Sequence, residues 1–136
     1  MQLPPLIDTP EIFIGYDAEN DWLYVDWKGE HDLVSSRAAC GLMLETLRAH
    51  PCPKILNDNS SITQTTIKLT DWSRGWLEEM RVAGLQCLAW VLPRRAESLR
   101  DAESFVQVID RPLVVTFDDL ATAYVWLQQQ QPVRPA

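Results

Sequence analysis

Long hydrophobic runs are missing from these 136 residues, and no apolar stretch approaches the ~20 residues a membrane-spanning helix needs. Met1-Gln2-Leu3-Pro4-Pro5 lacks a basic segment followed by an apolar one. A secretory signal is therefore not expected, and the cytoplasm is the expected compartment. Basic residues are in deficit, 12 against 19 acidic ones, for a net charge of −7, with no basic run longer than Arg94-Arg95. Such a chain repels phosphate backbones, which disfavours nucleic acid as a partner. The three cysteines, Cys40, Cys52 and Cys87, form an odd set without CxxC spacing, so neither disulfides nor a zinc site is expected. Cys40 and Cys87 lie in apolar patterns, where a thiol acts as a small buried hydrophobe. The two histidines, His31 and His50, fall near opposite ends of one predicted helix, too far apart to share a metal. There is no glycine-rich phosphate loop and no GxSxG elbow. Paired carboxylates such as Glu78-Glu79 and Asp118-Asp119 read as exposed helix residues and caps. An enzyme is not expected, and neither a cofactor nor a metal is called for.

What is present is ordinary globular composition, 46% hydrophobic and 23% charged, in a length that fits a single domain with a buried core. Residues 1–10 carry three prolines and read as an extended arm. Strands are predicted at 11–16 and 22–27, joined by the turn residues 17–20 as an antiparallel hairpin and ended by Lys28-Gly29. A helix follows over 32–49, its buried face marked by Leu33, Cys40, Leu44 and Leu47. Pro51 and Pro53 stop it and launch a strand at 54–57, after which 59–69 form a polar, threonine-rich loop. The second helix is expected from Asp71 to Ala83, capped by Thr70 or Asp71, with Trp72, Trp76, Met80 and Ala83 in a stripe beside Leu77. Gly84 fits the position just past its end. The apolar run 85–92 reads as a central strand, 95–108 as a helix, 113–117 as the last strand. Asp118 or Asp119 caps a final helix patterned by Leu120, Ala123, Tyr124 and Leu127, and the end, 129–136, reads as a frayed tail. The expectation is thus an α/β fold, a mixed, mostly parallel five-stranded sheet with four helices in the order ββαβαβαβα.

In open α/β sheets ligands gather at the carboxyl ends of strands, which directs attention to Asn57-Asp58-Asn59-Ser60 and to Asp71-Trp72-Ser73 with Trp76. The first cluster offers donors and acceptors for a polar ligand, or for its own backbone in Asx turns. Thr70, Asp71 and Ser73 suit a helix start, where capping is the plain role and phosphorylation of Ser73 the functional one. Six tryptophans, Trp22, Trp27, Trp72, Trp76, Trp90 and Trp126, exceed the usual share. They either fill the core or, where they protrude, line a pocket or a dimer interface.

The element order, and the way the third predicted strand feeds a polar segment and then a helix, resembles the STAS domain over roughly residues 11–130. That family includes the anti-sigma-factor antagonists and their SpoIIAA-like relatives. Local similarity is better to a bacterial group of uncharacterised STAS-like proteins. It is carried by Leu56-Asn57-Asp58-Asn59-Ser60, by Trp72 and Trp76, by Gly84-Leu85 with Ala89 and Val91, and by Phe117-Asp118-Asp119-Leu120-Ala121. In the antagonists a serine at the start of the helix after the third strand is phosphorylated; here a tryptophan stands at the expected position, and Ser73 is the one carrier in that helix. The resemblance implies a non-enzymatic bacterial regulatory module acting through protein contacts at 57–73 and the following helix. A homodimer built on the tryptophan helix is one form of such contact. Because SpoIIAA-like folds also resemble CRAL-TRIO lipid-binding domains, the alternative is a binder or sensor of a small apolar ligand in a tryptophan-lined pocket.

Overall fold

The computed structural model describes residues 3–65, 70–93 and 96–133. Six strands form one sheet in sequential order: β1 Pro5–Asp8, β2 Ile12–Asp17, β3 Trp22–His31, β4 Lys54–Thr65, β5 Cys87–Val91 and β6 Leu113–Phe117. Four helices complete the fold: α1 Leu33–Ala49, α2 Asp71–Val82, α3 Ala96–Gln107 and α4 Leu120–Gln129. The sheet is mixed, with β2 antiparallel to both β1 and β3 and the remaining neighbours parallel. The α/β class and four helices match expectation, but the strands number six rather than five.

The sixth strand comes from the N-terminal segment. Pro5, Ile7 and Asp8 pair with Gly15, Ile14 and Phe13, and Pro5 sits at the sheet edge, where a missing N–H is tolerated. A second correction concerns β3 and β4, which both outrun their predicted ends. β3 continues past Lys28-Gly29 to His31, and β4 continues past Asn57 to Thr65. Their extensions pair with each other, Lys28 with Ser61 and Gly29 with Ile62, through two register shifts. Gly29 lies at these shifts with φ of 76°, a left-handed backbone that glycine adopts without strain. Most of the predicted loop 59–69 is therefore strand. Residues 66–69, Arg94-Arg95 and 134–136 lie outside the described residues.

Right-handed crossovers that always step the same way along the sheet place their helices on one face. Accordingly β3–α1–β4, β4–α2–β5 and β5–α3–β6 put α1, α2 and α3 together, over Leu23, Val25, Ile55, Leu88 and Val114. The last helix is free of that constraint and covers the opposite face, where Ala123 and Leu127 pack on Trp22, Leu56, Ala89 and Val91.

Local chemistry fixes the ends of these elements. Asp32 caps α1 by accepting from Ser35 N at 2.8 Å, and Asp119, not Asp118, caps α4 by accepting from Thr122 N at 2.8 Å. These bonds hold both carboxyls below their ordinary values. Gly84, with φ of 115°, closes α2 as Gly84 N donates to Arg81 O and Leu85 N to Met80 O. The β2–β3 turn is built on buried Asp17, which accepts from Glu19 N, Asn20 N and Asn20 Nδ2. Buried Lys54 donates to Leu127 O at 2.8 Å, satisfying a carbonyl at the end of α4. Past α4, Gln86 makes two hydrogen bonds to the backbone of Val133, at 2.7 and 2.8 Å, so the tail is tied to the body at that point.

Candidate functional site

Strand alternation divides the polar cluster that the sequence presents as one unit. Asn57 pairs in register with Val25 and Trp90, on the face beneath α1 and α2; Asp58 pairs with Asp26 and Val91 and points to the α4 face. Asn57 and Asn59 therefore share one surface, while Asp58 belongs to the other.

Between α1, α2 and the sheet lies a cavity of about 100 Å³ with an open mouth. Its floor is Trp27, Asn57, Asn59, Leu88 and Trp90, and its walls include Cys40, Trp76 and Phe105. At the mouth stand Leu33 and Arg37 from α1 and Thr70, Trp72 and Ser73 from α2. The expected tryptophan stripe of α2 runs from the core to this opening. Met80 is fully buried, Leu77 buried, Trp76 half-buried and Trp72 38% exposed. Leu33, expected in the buried face of α1, is 48% exposed, because it is the first residue of the helix and stands at the rim.

Specific hydrogen bonds hold this frame open. Trp76 Nε1 donates to Cys40 O at 2.8 Å, pinning α2 to α1, and Trp27 Nε1 donates to Asn57 Oδ1 at 2.9 Å, bridging β3 and β4. Arg37 lies over the Trp72 ring, its guanidinium carbon 5.0 Å from the centroid, and joins the two helices across the mouth. Ser36 donates to Asp32 O at 2.6 Å. Two buried polar atoms in the wall lack a partner, the indole Nε1 of Trp90 and the Oδ1 of Asn59, a residue only 8% exposed. Leaving a buried donor or acceptor unpaired costs ~1–3 kcal/mol each. Burial pushes the Cys40 thiol up to about 12, so it stays protonated and offers no nucleophile.

Of the remaining candidates, Ser73 stays at the rim and the others fall elsewhere. Asp58 accepts from Ser60 N at 2.9 Å, from Ser60 Oγ at 2.6 Å and from Tyr24 Oη at 3.3 Å, a local turn-type arrangement on the α4 face. Beside it, burial and the neighbouring Asp58 charge raise the carboxyl of half-buried Asp26, and burial raises the Tyr24 hydroxyl. Asp71 is exposed at the start of α2 and does not line the cavity. Ser73 is half-buried at the rim, where its Oγ accepts from Thr70 N at 3.4 Å. His31, buried at the end of β3, has Nε2 at 3.2 Å from Glu11 O and 3.1 Å from Lys28 O, and its ring lies tilted against Trp27 with centroids 5.0 Å apart. Among the described residues no group of three or more His, Cys, Asp or Glu could hold a metal ion, and no helix is long and apolar enough to cross a membrane. Cys40, Cys52 and Cys87 are free thiols.

Helical spacing marks Trp72 and Trp76 in the sequence, whereas Trp27, Trp90 and Arg37 join the site only in the folded chain. The alternation of β4 carried the missing signal. Once Asn57 and Asn59 share a face, the strand neighbours of that face become wall residues.

No family model matches the chain, and no curated protein matches it. Among solved structures, an uncharacterised protein of the DUF3478 family from Shewanella loihica PV-4, described as having a SpoIIAA-like fold, superimposes with a TM-score of 0.54 at 17% identity. The match covers 89% of this chain and 97% of that one. The chain has a SpoIIAA-like fold.

Proposed function

We propose that this is a non-enzymatic binding module whose cavity between α1, α2 and the sheet takes a small, mainly apolar molecule. The observation that carries this reading is a ring-sized space left in the core and walled by four indoles, with a buried donor and acceptor unpaired at its surface. The cavity of about 100 Å³ is smaller than the ~150 Å³ engineered cavity that holds benzene, and its open mouth supplies the remaining room for a ring. Apolar walls with a few convergent polar groups are the usual composition of a small-molecule site. Native mass spectrometry of the chain purified from its own host tests this. A small-molecule adduct is expected in the unmodified protein and lost in Trp76→Ala. A bare chain in every preparation would overturn the reading.

A second reading, a regulatory module that contacts a protein partner or a second copy of itself, is favoured by the rim. Leu33, Val34 and Trp72 are 48%, 78% and 38% exposed at the starts of α1 and α2, an apolar edge next to Asp71 and Ser73. Phosphorylation of Ser73 would place charge on this edge, at the positive end of α2. Light scattering at rising concentration tests self-association. A dimer lost in Val34→Asp supports this reading, and a monomer throughout removes the second copy as partner.

A further inference from the structure

The polar groups of the cavity wall are engaged unevenly. Trp27, Trp76 and Ser36 spend their donors on protein oxygens, while Trp90 Nε1, a donor only, and Asn59 Oδ1, an acceptor only, are unpaired. Both unpaired atoms belong to the same face of adjoining strands. Asn57 is the register partner of Trp90, and Asn59 stands two residues further along β4. From a strand spacing of ~4.8 Å and a rise of ~3.3 Å per residue, their backbones lie about 8 Å apart, a span suited to one substituted ring. Among the described residues no carboxylate lines the cavity, and the one charged residue that does, Arg37, is exposed and lies over the Trp72 ring at the mouth.

A wholly apolar occupant would leave both atoms unpaired. A carboxylate would satisfy Trp90 but would meet Asn59 Oδ1 lone pair to lone pair in this orientation of the Asn59 amide, and would bring an unpaired charge among apolar walls. The interior therefore calls for one acceptor and one donor on a neutral frame. Building on the binding role proposed for this cavity, we infer that it selects a neutral, ring-sized molecule carrying an amide-like pair, an aromatic carboxamide or a lactam. Its carbonyl accepts from Trp90 Nε1, its N–H donates to Asn59 Oδ1, and its ring lies among Trp27, Trp76 and Phe105.

Calorimetric titration of the full chain with benzamide, benzoate and toluene separates the alternatives. Benzamide is expected to bind about tenfold more tightly than toluene, the combined effect of two modest hydrogen bonds. Trp90→Phe keeps the ring and removes only the N–H, and Asn59→Leu keeps the volume and removes the acceptor. Each should weaken benzamide severalfold while leaving toluene unchanged or tighter, with thermal melts confirming that both variants fold. Equal binding of benzamide and toluene would overturn the amide selection and leave the cavity as a binding site. Benzoate binding tightest would overturn it in favour of a carboxylate held by Arg37. Binding of none of the three would overturn both the selection and the proposed role of the cavity.

Discussion

The two faces of the sheet each bury a tryptophan whose indole N–H finds no partner, Trp22 on the α4 side and Trp90 beneath α1 and α2. Around Trp22 the packing is closed. It is 1% exposed, Tyr124 meets its ring edge-on at 5.1 Å, and Leu127 and Ala123 seal the helix above. Around Trp90 there is empty volume and a way out to solvent. An unpaired donor in a filled core is a tolerated cost, whereas the same donor beside a cavity is a feature a ligand can use. Topology explains the asymmetry. One short helix lies against the strands on the α4 face, while on the other face three crossover helices must share the sheet.

The strongest way to break this contrast is to cut into the closed face. Leu127→Ala removes a fully buried side chain from the α4 contact and is expected to cost ~2–5 kcal/mol in denaturant unfolding. Ligand binding on the other face should persist at temperatures where the variant stays folded. A loss of binding in folded Leu127→Ala would mean the two faces are not independent.

A smaller effect is expected within the open face. Trp27→Phe leaves Asn57 Oδ1 without its donor, and the unpaired acceptor should cost ~1–3 kcal/mol. Trp76→Phe removes the bond to Cys40 O near the half-open wall and should cost less, ~0.5–1.5 kcal/mol, with the α1–α2 gap widened. Equilibrium unfolding of both variants checks the order; the reverse order would place the structural strain at the helix pair rather than at the strand bridge.

The titrating group on the α4 face sharpens the comparison through pH. Asp26 has a folded pKa raised by burial and by Asp58 above its value in the unfolded chain. The folded state therefore binds the proton more tightly, and this contribution to stability is full at low pH and lost as pH rises through the raised value. Asp26→Asn should accordingly raise the melting temperature at neutral pH. The gain should shrink as pH falls through the raised Asp26 value toward the ordinary carboxylate range. A gain constant with pH would show that repacking, not the charge, is responsible.

Where the sequence was legible, local signals decided the outcome. Leu113–Phe117 is bounded as expected, Asp119 caps α4, and Gly84 ends α2, because each depends on residues within a turn of itself. The pieces that escaped depend on distant partners. Ser61–Thr65 reads as loop because it is polar, and becomes strand only by pairing with the extension of β3. Pro5–Asp8 joins the sheet only because β2 offers it an edge. The site divides in the same way. The spacing of Trp72 and Trp76 on one helix is visible in sequence, but Trp27, Trp90 and Arg37 meet them only across three elements. Asp58 looks equivalent to Asn57 in sequence, and the two-residue period of the strand sends it to the opposite face.

The most direct test is to follow the indole N–H signals of all six tryptophans by ¹⁵N-resolved NMR while benzamide is added. The Trp90 indole resonance is expected to shift in a saturable manner while that of Trp22, equally unpaired but enclosed, stays in place. A titration in which Trp90 does not respond, or in which Trp22 moves as far as Trp90, would contradict the claim that the open face alone is a binding site.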